Sequence, residues 1–387
     1  MAQLTLPEAR RSWSARQQLG ADVDLKTVPG GWSRALGGVD PYLAMRARVP
    51  GLARETFDQA LAADEIWVVP GVRGCIWLVP AQDVPLALVV SESQARRRLL
   101  RDMEKLSYPE AQLRDLGERI VEALADGAMK TDALRSALGA QIFSFGDAGK
   151  KIGQSTNLPP ALRLLEWDGA IRRRHSTGRI NCQDYIWEIP EVSPLSLGEL
   201  PSDDQAQVDA LAQRFFEWAA PATLEEFVGW SKVAKGKAKK AIAALGLPEH
   251  SLAGSTVYGD VVDSGDDGLH FIPSQDNLLS LRSSPSLLAG AEHHEMELIG
   301  MGKGMVPLAK ARWMFHRVMT RQGRLVGFWE WDRDARDIVS FELEEVGADL
   351  ADLAAFIRDQ LDGEAKANSI DGAKSQRKRV DWVEAAR

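Results

Sequence analysis

Helices followed by a β-hairpin recur along this chain, and the recurrence limits the fold more than any single motif does. The middle copy is the most legible. Leu113, Leu116, Ile120 and Leu124 repeat at helical spacing and define an amphipathic helix that Gly127 ends. Thr131 is placed to cap a second, short helix that runs to Leu138. Gly139 to Asn157 is polar and glycine-rich and reads as a loop. A third helix spans Leu158 to Trp167, with Pro159 and Pro160 in the first turn, where proline is tolerated, and Gly169 closing it. Ala170 to His175 and Arg179 to Trp187 then flank Ser176-Thr177-Gly178, the pattern of a β-hairpin with a glycine turn.

Three helices and a hairpin is the order of a winged helix, whose third helix enters the major groove while the hairpin, or wing, reaches the backbone or minor groove. The order recurs upstream in helices at Asp40 to Arg48 and Leu52 to Ala63 and strands at Ile66 to Val69 and Cys75 to Val79. Downstream it recurs in Gln205 to Ala219, Leu224 to Trp230 capped by Thr223, a lysine-studded helix Lys232 to Leu245, and strands near Thr256 to Val262 and Leu269 to Ile272. Beyond that point strands are expected at Leu278 to Leu281, Met305 to Leu308, Arg312 to Thr320, Arg324 to Trp331 and Ile338 to Glu344, then a helix over Ala348 to Leu361. The tail is polar, with Val380, Trp382 and Val383 placed to dock back. The expected fold is mixed α/β of the α+β kind. Winged-helix modules occupy 1–100, 101–195 and 196–275, and a β-rich element with a final helix occupies 276–387.

Composition narrows the class. No apolar stretch approaches the ~20 residues that span a bilayer, and the N-terminus lacks the apolar core of a signal peptide. Cys75 and Cys182 form neither a zinc spacing nor a disulfide framework, which fits a reducing cytosol. A cytoplasmic, nucleoid-associated monomer is therefore expected. The net charge of −8 counts against a nucleic-acid protein. Basic runs nevertheless stand at Arg96 to Arg98, Arg172 to Arg174 and Lys232 to Lys240, while acids gather at Glu199 to Asp209 and Glu342 to Asp362. One reading is a basic face with an acidic back; the other is solvated helix faces. Arg172, Arg173, Arg174, His175 and Arg179 load the second wing with one sign of charge, which favours DNA contact over a charged edge that blocks strand pairing.

Other motifs carry little. Gly300 to Gly304 and Gly236-Lys237 lack phosphate-loop spacing, so no nucleotide cofactor is expected. Glu292-His293-His294-Glu295 lacks the i, i+4 spacing of a helical metal site and reads as a solvated loop, so no metal is expected. There is no GxSxG elbow. Most of the twelve tryptophans, Trp167, Trp230 and Trp329 among them, read as core anchors.

Taken together, these segments resemble the AlkZ/YcaQ-type winged-helix DNA glycosylases, over nearly the whole chain. Asp40 to Arg48 resembles that family's first-module helix, Val72 to Pro80 its "RGTLHLVP" hairpin, and Leu158 to Arg173 its "LPxALxxLxxxGxIRR" module. Thr223 to Trp230 and the lysine-rich helix resemble its third module. Phe271 to Leu279 resembles "LPxFDxxL", and Gly323 to Trp329 resembles "GxVxGxW". The resemblance implies binding of duplex DNA, damaged DNA included, and removal of alkylated or crosslinked bases without a cofactor. The family's QxQ or QxD signature falls at Leu36 to Pro41. Either Gly38-Val39-Asp40 keeps only the aspartate, or Gly37 and Val39 replace both glutamines; Trp77 replaces the hairpin histidine. Asp40 is the acid that the resemblance places at the site, and helix capping is its other reading. Arg46, Arg48, Arg73, Arg163, Arg172, Arg173, Arg174, Arg179, Lys235, Lys237, Lys239 and Lys240 are candidate DNA contacts, with one concave face expected to gather the cations of all modules. Asp276, Arg282 and Trp329 are further residues of the family's motifs. A DNA binder without catalysis and an interaction scaffold are the rival functions.

Overall fold

A computed structural model describes residues 2–35, 38–182, 184–300, 304–363 and 373–386. Leu36, Gly37 and most of the Gly300 to Gly304 stretch lie outside them. The first unit holds β1 (Ala2–Leu4), α1 (Leu6–Arg16), β2 (Ser33–Arg34), α2 (Asp40–Arg46), α3 (Arg54–Ala62), β3 (Ile66–Pro70) and β4 (Ile76–Pro80). The helix α4 (Val84–Lys105) leads into the second unit: α5 (Glu110–Leu124), β5 (Met129–Lys130), α6 (Thr131–Leu138), α7 (Gly146–Lys151), α8 (Leu158–Trp167), β6 (Arg172–His175) and β7 (Tyr185–Glu188). The third holds α9 (Asp204–Ala219), α10 (Leu224–Ser231), α11 (Lys235–Leu245), β8 (Glu249–Leu252) and β9 (Ser255–Tyr258). The remainder holds β10 (Leu269–Ile272), α12 (Asn277–Ser280), β11 (Glu297–Ile299), β12 (Met305–Pro307), β13 (Arg317–Arg321), β14 (Arg324–Asp332), β15 (Asp337–Glu342), α13 (Ala351–Ala355) and α14 (Ala373–Ala386). The fold is mixed α+β. Among the described residues no helix is long and apolar enough to cross a membrane.

The units share one connectivity. The strand that precedes the second helix joins the last strand of the hairpin, giving the orders β2-β4-β3 and β5-β7-β6. In the third unit a single bridge between Ala222 and Tyr258 stands in for that strand. The N-terminal β1 runs parallel to β8 and so edges the third unit's hairpin. The C-terminal sheet is antiparallel, in the order β10-β13-β14-β15.

Several local expectations are corrected. The 139–157 stretch carries α7. Residues 277–280 are helical rather than extended, because the Asp276 carboxylate caps them by accepting the Leu278 N–H at 2.9 Å. The wing strands pair from His175–Tyr185 outward, so residues 176–184 form a longer connection than a glycine turn. Thr131 does not cap: its Oγ1 accepts the Trp187 indole N–H at 2.9 Å and so ties α6 to the wing. Three further helices go beyond the expected set, α14 in the tail among them. Another is α1, although Thr5 and Glu8 form a capping box there. The third is α4, whose first turns are apolar on every side and show no stripe.

The cores do not follow the unit boundaries. Side chains alternate across β3 and β4. Ile66, Val68 and Leu78 face one core, with Tyr42, Phe57, Trp329 and Trp331. Trp67, Val69, Trp77 and Val79 face another, with Phe215, Phe227 and Trp230 of the third unit. The second unit alone has a core drawn from its own segment, Met103 to Trp187. Val380 and Val383 of α14 dock against Val318 and Phe328, as their apolar spacing implies.

The tie among these parts is Arg48, which is fully buried. Its guanidinium donates to both Asp276 oxygens at 2.8 Å, to the Gln17 carbonyl at 2.9 Å and to the Gln17 Oε1 at 2.8 Å. Removing one partner of such a pair leaves an uncompensated buried charge. Arg48→Ala should therefore destabilise the protein by about 3–5 kcal/mol in denaturant titration, and Arg48→Lys, which lacks the planar fork, should recover only part of this.

His316 is also fully buried; its Nε2 accepts the Ile299 N–H at 3.1 Å, and its ring lies 4.3 Å from that of Trp382. Burial, helped by the Arg379 charge, pushes its pKa down to about 3. The folded state thus holds the imidazole neutral, while the unfolded chain protonates it near pH 6.5. Its contribution is complete above about pH 6.5 and is lost as pH falls toward about 3. Thermal midpoints should decline across that window, and His316→Gln, whose amide oxygen can accept the Ile299 N–H, should flatten the decline.

Candidate functional site

Asp40 is the first residue of α2, and its side chain caps nothing. Val39 occupies the N-cap position without a side-chain hydrogen bond. Instead, Asp40 Oδ1 accepts from Arg317 Nη2 at 2.9 Å and Oδ2 accepts from Ser274 Oγ at 2.8 Å. The capping interpretation is therefore overturned. An ionised carboxylate offers about four lone-pair positions, so two bonds leave capacity toward solvent, and the side chain is 18% exposed. Arg317 begins β13, with its guanidinium 5.1 Å from the Trp329 ring. Trp329 is itself a buried core anchor, as expected.

Ser274 is presented by the turn between β10 and α12. The next residue, Gln275, has φ +60°, a left-handed conformation that non-glycine residues seldom adopt. Asp276 follows, clamped by Arg48. Gln275 Oε1 accepts from Arg34 Nη1 at 3.2 Å, and Arg34 Nη2 approaches the Cys75 sulfur at 3.3 Å. Arg73 lies on the same hairpin turn; burial and then the Arg34 charge lower its pKa. Neither Arg34 nor Arg73 has a carboxylate partner among the described residues. Arg34 thus reaches the turn that presents Ser274, and Arg73 feels the charge of Arg34.

Most of the other cations expected at a DNA surface are engaged elsewhere. Arg48 is the core tie described above. Arg173 is buried, donates to Glu166 at 2.6 Å, and stacks 4.8 Å from both Tyr185 and Trp187. Arg172 pairs with Asp64 at 2.9 Å and Glu188 at 2.5 Å, over Trp67. Arg174 pairs with the same two acids. Arg179 pairs with Asp362, and Arg46 with Asp352. Arg163 stands 3.8 Å from Glu166 and 3.5 Å from the Gly74 carbonyl. Arg282 is buried over Trp13 and donates to the Ala219 carbonyl at 2.7 Å. The charged wing is therefore corrected: its arginines bind acids of the first unit, of their own unit and, through Arg179, of the C-terminal part. Trp77, where a histidine was sought, is core, donating to the Val72 carbonyl at 3.1 Å.

The single concave face is corrected in the same way. Arg73 and Lys237 do line one cleft, of about 420 Å³, with Arg98 and Lys232; Asp204 is the one carboxylate in its lining. Arg173 and Arg46 are not in that lining. Lys237 pairs with Asp204 and Lys235 with Glu225, both near the surface, while Lys239 and Lys240 are exposed. Glu292 and His293 converge with Glu344, but Arg324 joins the two carboxylates, at 2.7 and 2.5 Å.

A consequence for the wing can be measured. Arg173→Ala should lower stability by about 3–5 kcal/mol through the stranded Glu166. A surface contact would give less than about 1 kcal/mol.

The family model described as "DNA glycosylase AlkZ-like" matches residues 38–367. The chain is similar in fold to the Streptomyces sahachiroi DNA glycosylase AlkZ, with a TM-score of 0.64 at 15% identity, over 92% of this chain and 96% of that one. No curated protein sequence matches it.

Proposed function

Because the chain belongs to the AlkZ-like DNA glycosylase family, we propose that it binds duplex DNA through tandem winged-helix units and hydrolyses the N-glycosidic bond of alkylated or crosslinked bases, with Asp40 as the acid at the reacting carbon. The observation that carries this reading is the Asp40–Ser274–Arg317 cluster, solvent-reachable and presented by a turn whose Gln275 is held by Arg34, a cation without a carboxylate partner among the described residues. When the bond between C1′ and the base nitrogen breaks, the base leaves with the electron pair and the sugar becomes oxocarbenium-like. A nearby carboxylate stabilises that positive charge and accepts the proton of the water that adds to C1′. Arg317 and Ser274 act as positioning residues: each holds one oxygen of the carboxylate. Arg34, Arg73, Arg98, Lys232 and Lys237 supply cations for the phosphates, which fix register and orientation on a duplex.

A second reading, a binder without catalysis, is favoured by the loss of glutamine from the family's signature, at Gly38 in one alignment and at Gly37 and Val39 in the other. One set of measurements separates the two. The wild type should release base from alkylated or crosslinked duplexes, leaving abasic sites. Asp40→Asn should abolish release while holding or raising affinity, because a charge repelling the phosphates is gone. Equal release by both proteins would remove Asp40 from the chemistry, and tight binding without release by the wild type would establish the second reading. In either case Arg73→Ala should lower the log–log salt slope of binding by ~0.9, the value for a single neutralised phosphate.

A further inference from the structure

Of the twelve tryptophans, all within the described residues, Trp313 alone is exposed, at 41%. Exposure of so large an apolar side chain forgoes about 1.5–3 kcal/mol of burial or more, so its setting carries information. The segment before β13 is pinned rather than loose. Leu308, Ala311 and Met314 are buried, and the Ala311 carbonyl accepts from Ser284 Oγ at 3.2 Å. With those residues turned inward, Lys310, Arg312 and Trp313 are turned outward. Lys310 and Arg312 have no carboxylate partner among the described residues. Arg317, which holds Asp40, follows Trp313 by four positions. At ~3.3–3.6 Å per residue, their Cα atoms are separated by no more than ~14 Å.

We propose that Trp313 is a wedge that enters the base stack of duplex DNA next to the Asp40 site, while Lys310 and Arg312 hold the flanking phosphates. The inference rests on the duplex-DNA reading above. A flat apolar ring beside two cations in one exposed segment matches a ligand with stacked aromatic faces and a dense row of negative charge. Chemistry on a paired base requires that base to leave the stack, and an inserted side chain occupies the vacancy and keeps it open.

The test compares the wild type and Trp313→Ala on two short duplexes of one sequence, one intact and one with a central tetrahydrofuran abasic analogue. Trp313→Ala should lose about tenfold in affinity for the abasic duplex, as removal of one base–aromatic stack does. It should bind the intact duplex within about threefold of the wild type and melt at the same temperature. A 2-aminopurine opposite the vacancy should change its fluorescence on binding to the wild type and not to the variant. Joint replacement of Lys310 and Arg312 by Ala should weaken both duplexes alike and lower the salt slope by ~0.9 for each phosphate no longer neutralised. Equal affinity of the wild type and Trp313→Ala for the abasic duplex would overturn the wedge while leaving the DNA reading intact, and so would equal loss on both duplexes. Failure of the wild type to bind either duplex would overturn both.

Discussion

The geometry of this protein hangs on the buried contact between Arg48 and Asp276. Placing two full charges in a core is unfavourable unless the pairing is close and the remaining donors are satisfied. Here the guanidinium reaches both carboxylate oxygens and, beyond them, backbone and side-chain oxygens of Gln17 and the Ala44 carbonyl. Gly30 closes the arrangement: with φ +82°, it lies where a Cβ would stand 2.2 Å from Arg48 Nε. The end of α1, the end of α2 and the start of α12 meet at this point. Asp276 also caps α12, so the left-handed Gln275 and the Ser274 hydroxyl before it are fixed by the same contact. The hydroxyl that holds Asp40 is therefore positioned by an ion pair that never meets solvent.

Charge is distributed in an unexpected way for a family that handles DNA. The arginine run 172–174 is spent internally, on Glu166 and Glu188 of its own unit and on Asp64, where it fastens the second unit to the first. Cations without acid partners among the described residues lie elsewhere in the chain, Arg34, Arg73, Lys310 and Arg312 among them. A net charge of −8 coexists with such a surface because phosphate contact depends on local, unneutralised charge within a Debye length rather than on the sum.

Much of the architecture is legible in the sequence because it rests on local rules. Hydrophobic spacing marks the helices of the second and third units. Thr223 caps α10 as its position implies, and Pro159 with Gly169 brackets α8. What is not legible depends on partners far away in the chain. Arg172, Arg173 and Arg174 carry one sign of charge in the sequence, but whether they face solvent is decided by Asp64 and Glu166, on other elements. Asp40 stands out through its motif, whereas Ser274 and Arg317 lie 234 and 277 positions away and carry no local mark. α4 escapes because a helix apolar on every side in its first turns has no periodicity to detect.

The division of cores also sets an order of events during synthesis. Residues 95–187 supply the apolar cluster that the second unit packs around, so that core can close once this segment has left the ribosome. The first unit, although made earlier, lines one face of its hairpin with Trp329, Trp331, Phe356 and Leu361, and the other with helices of the third unit. Its apolar strands Ile66–Pro70 and Ile76–Pro80, covered in part by α2, α3 and α4, must wait for nearly three hundred residues of further translation before their cover is complete. These early strands are thus among the last to be fully shielded, which makes them the natural client surface for a chaperone on the nascent chain.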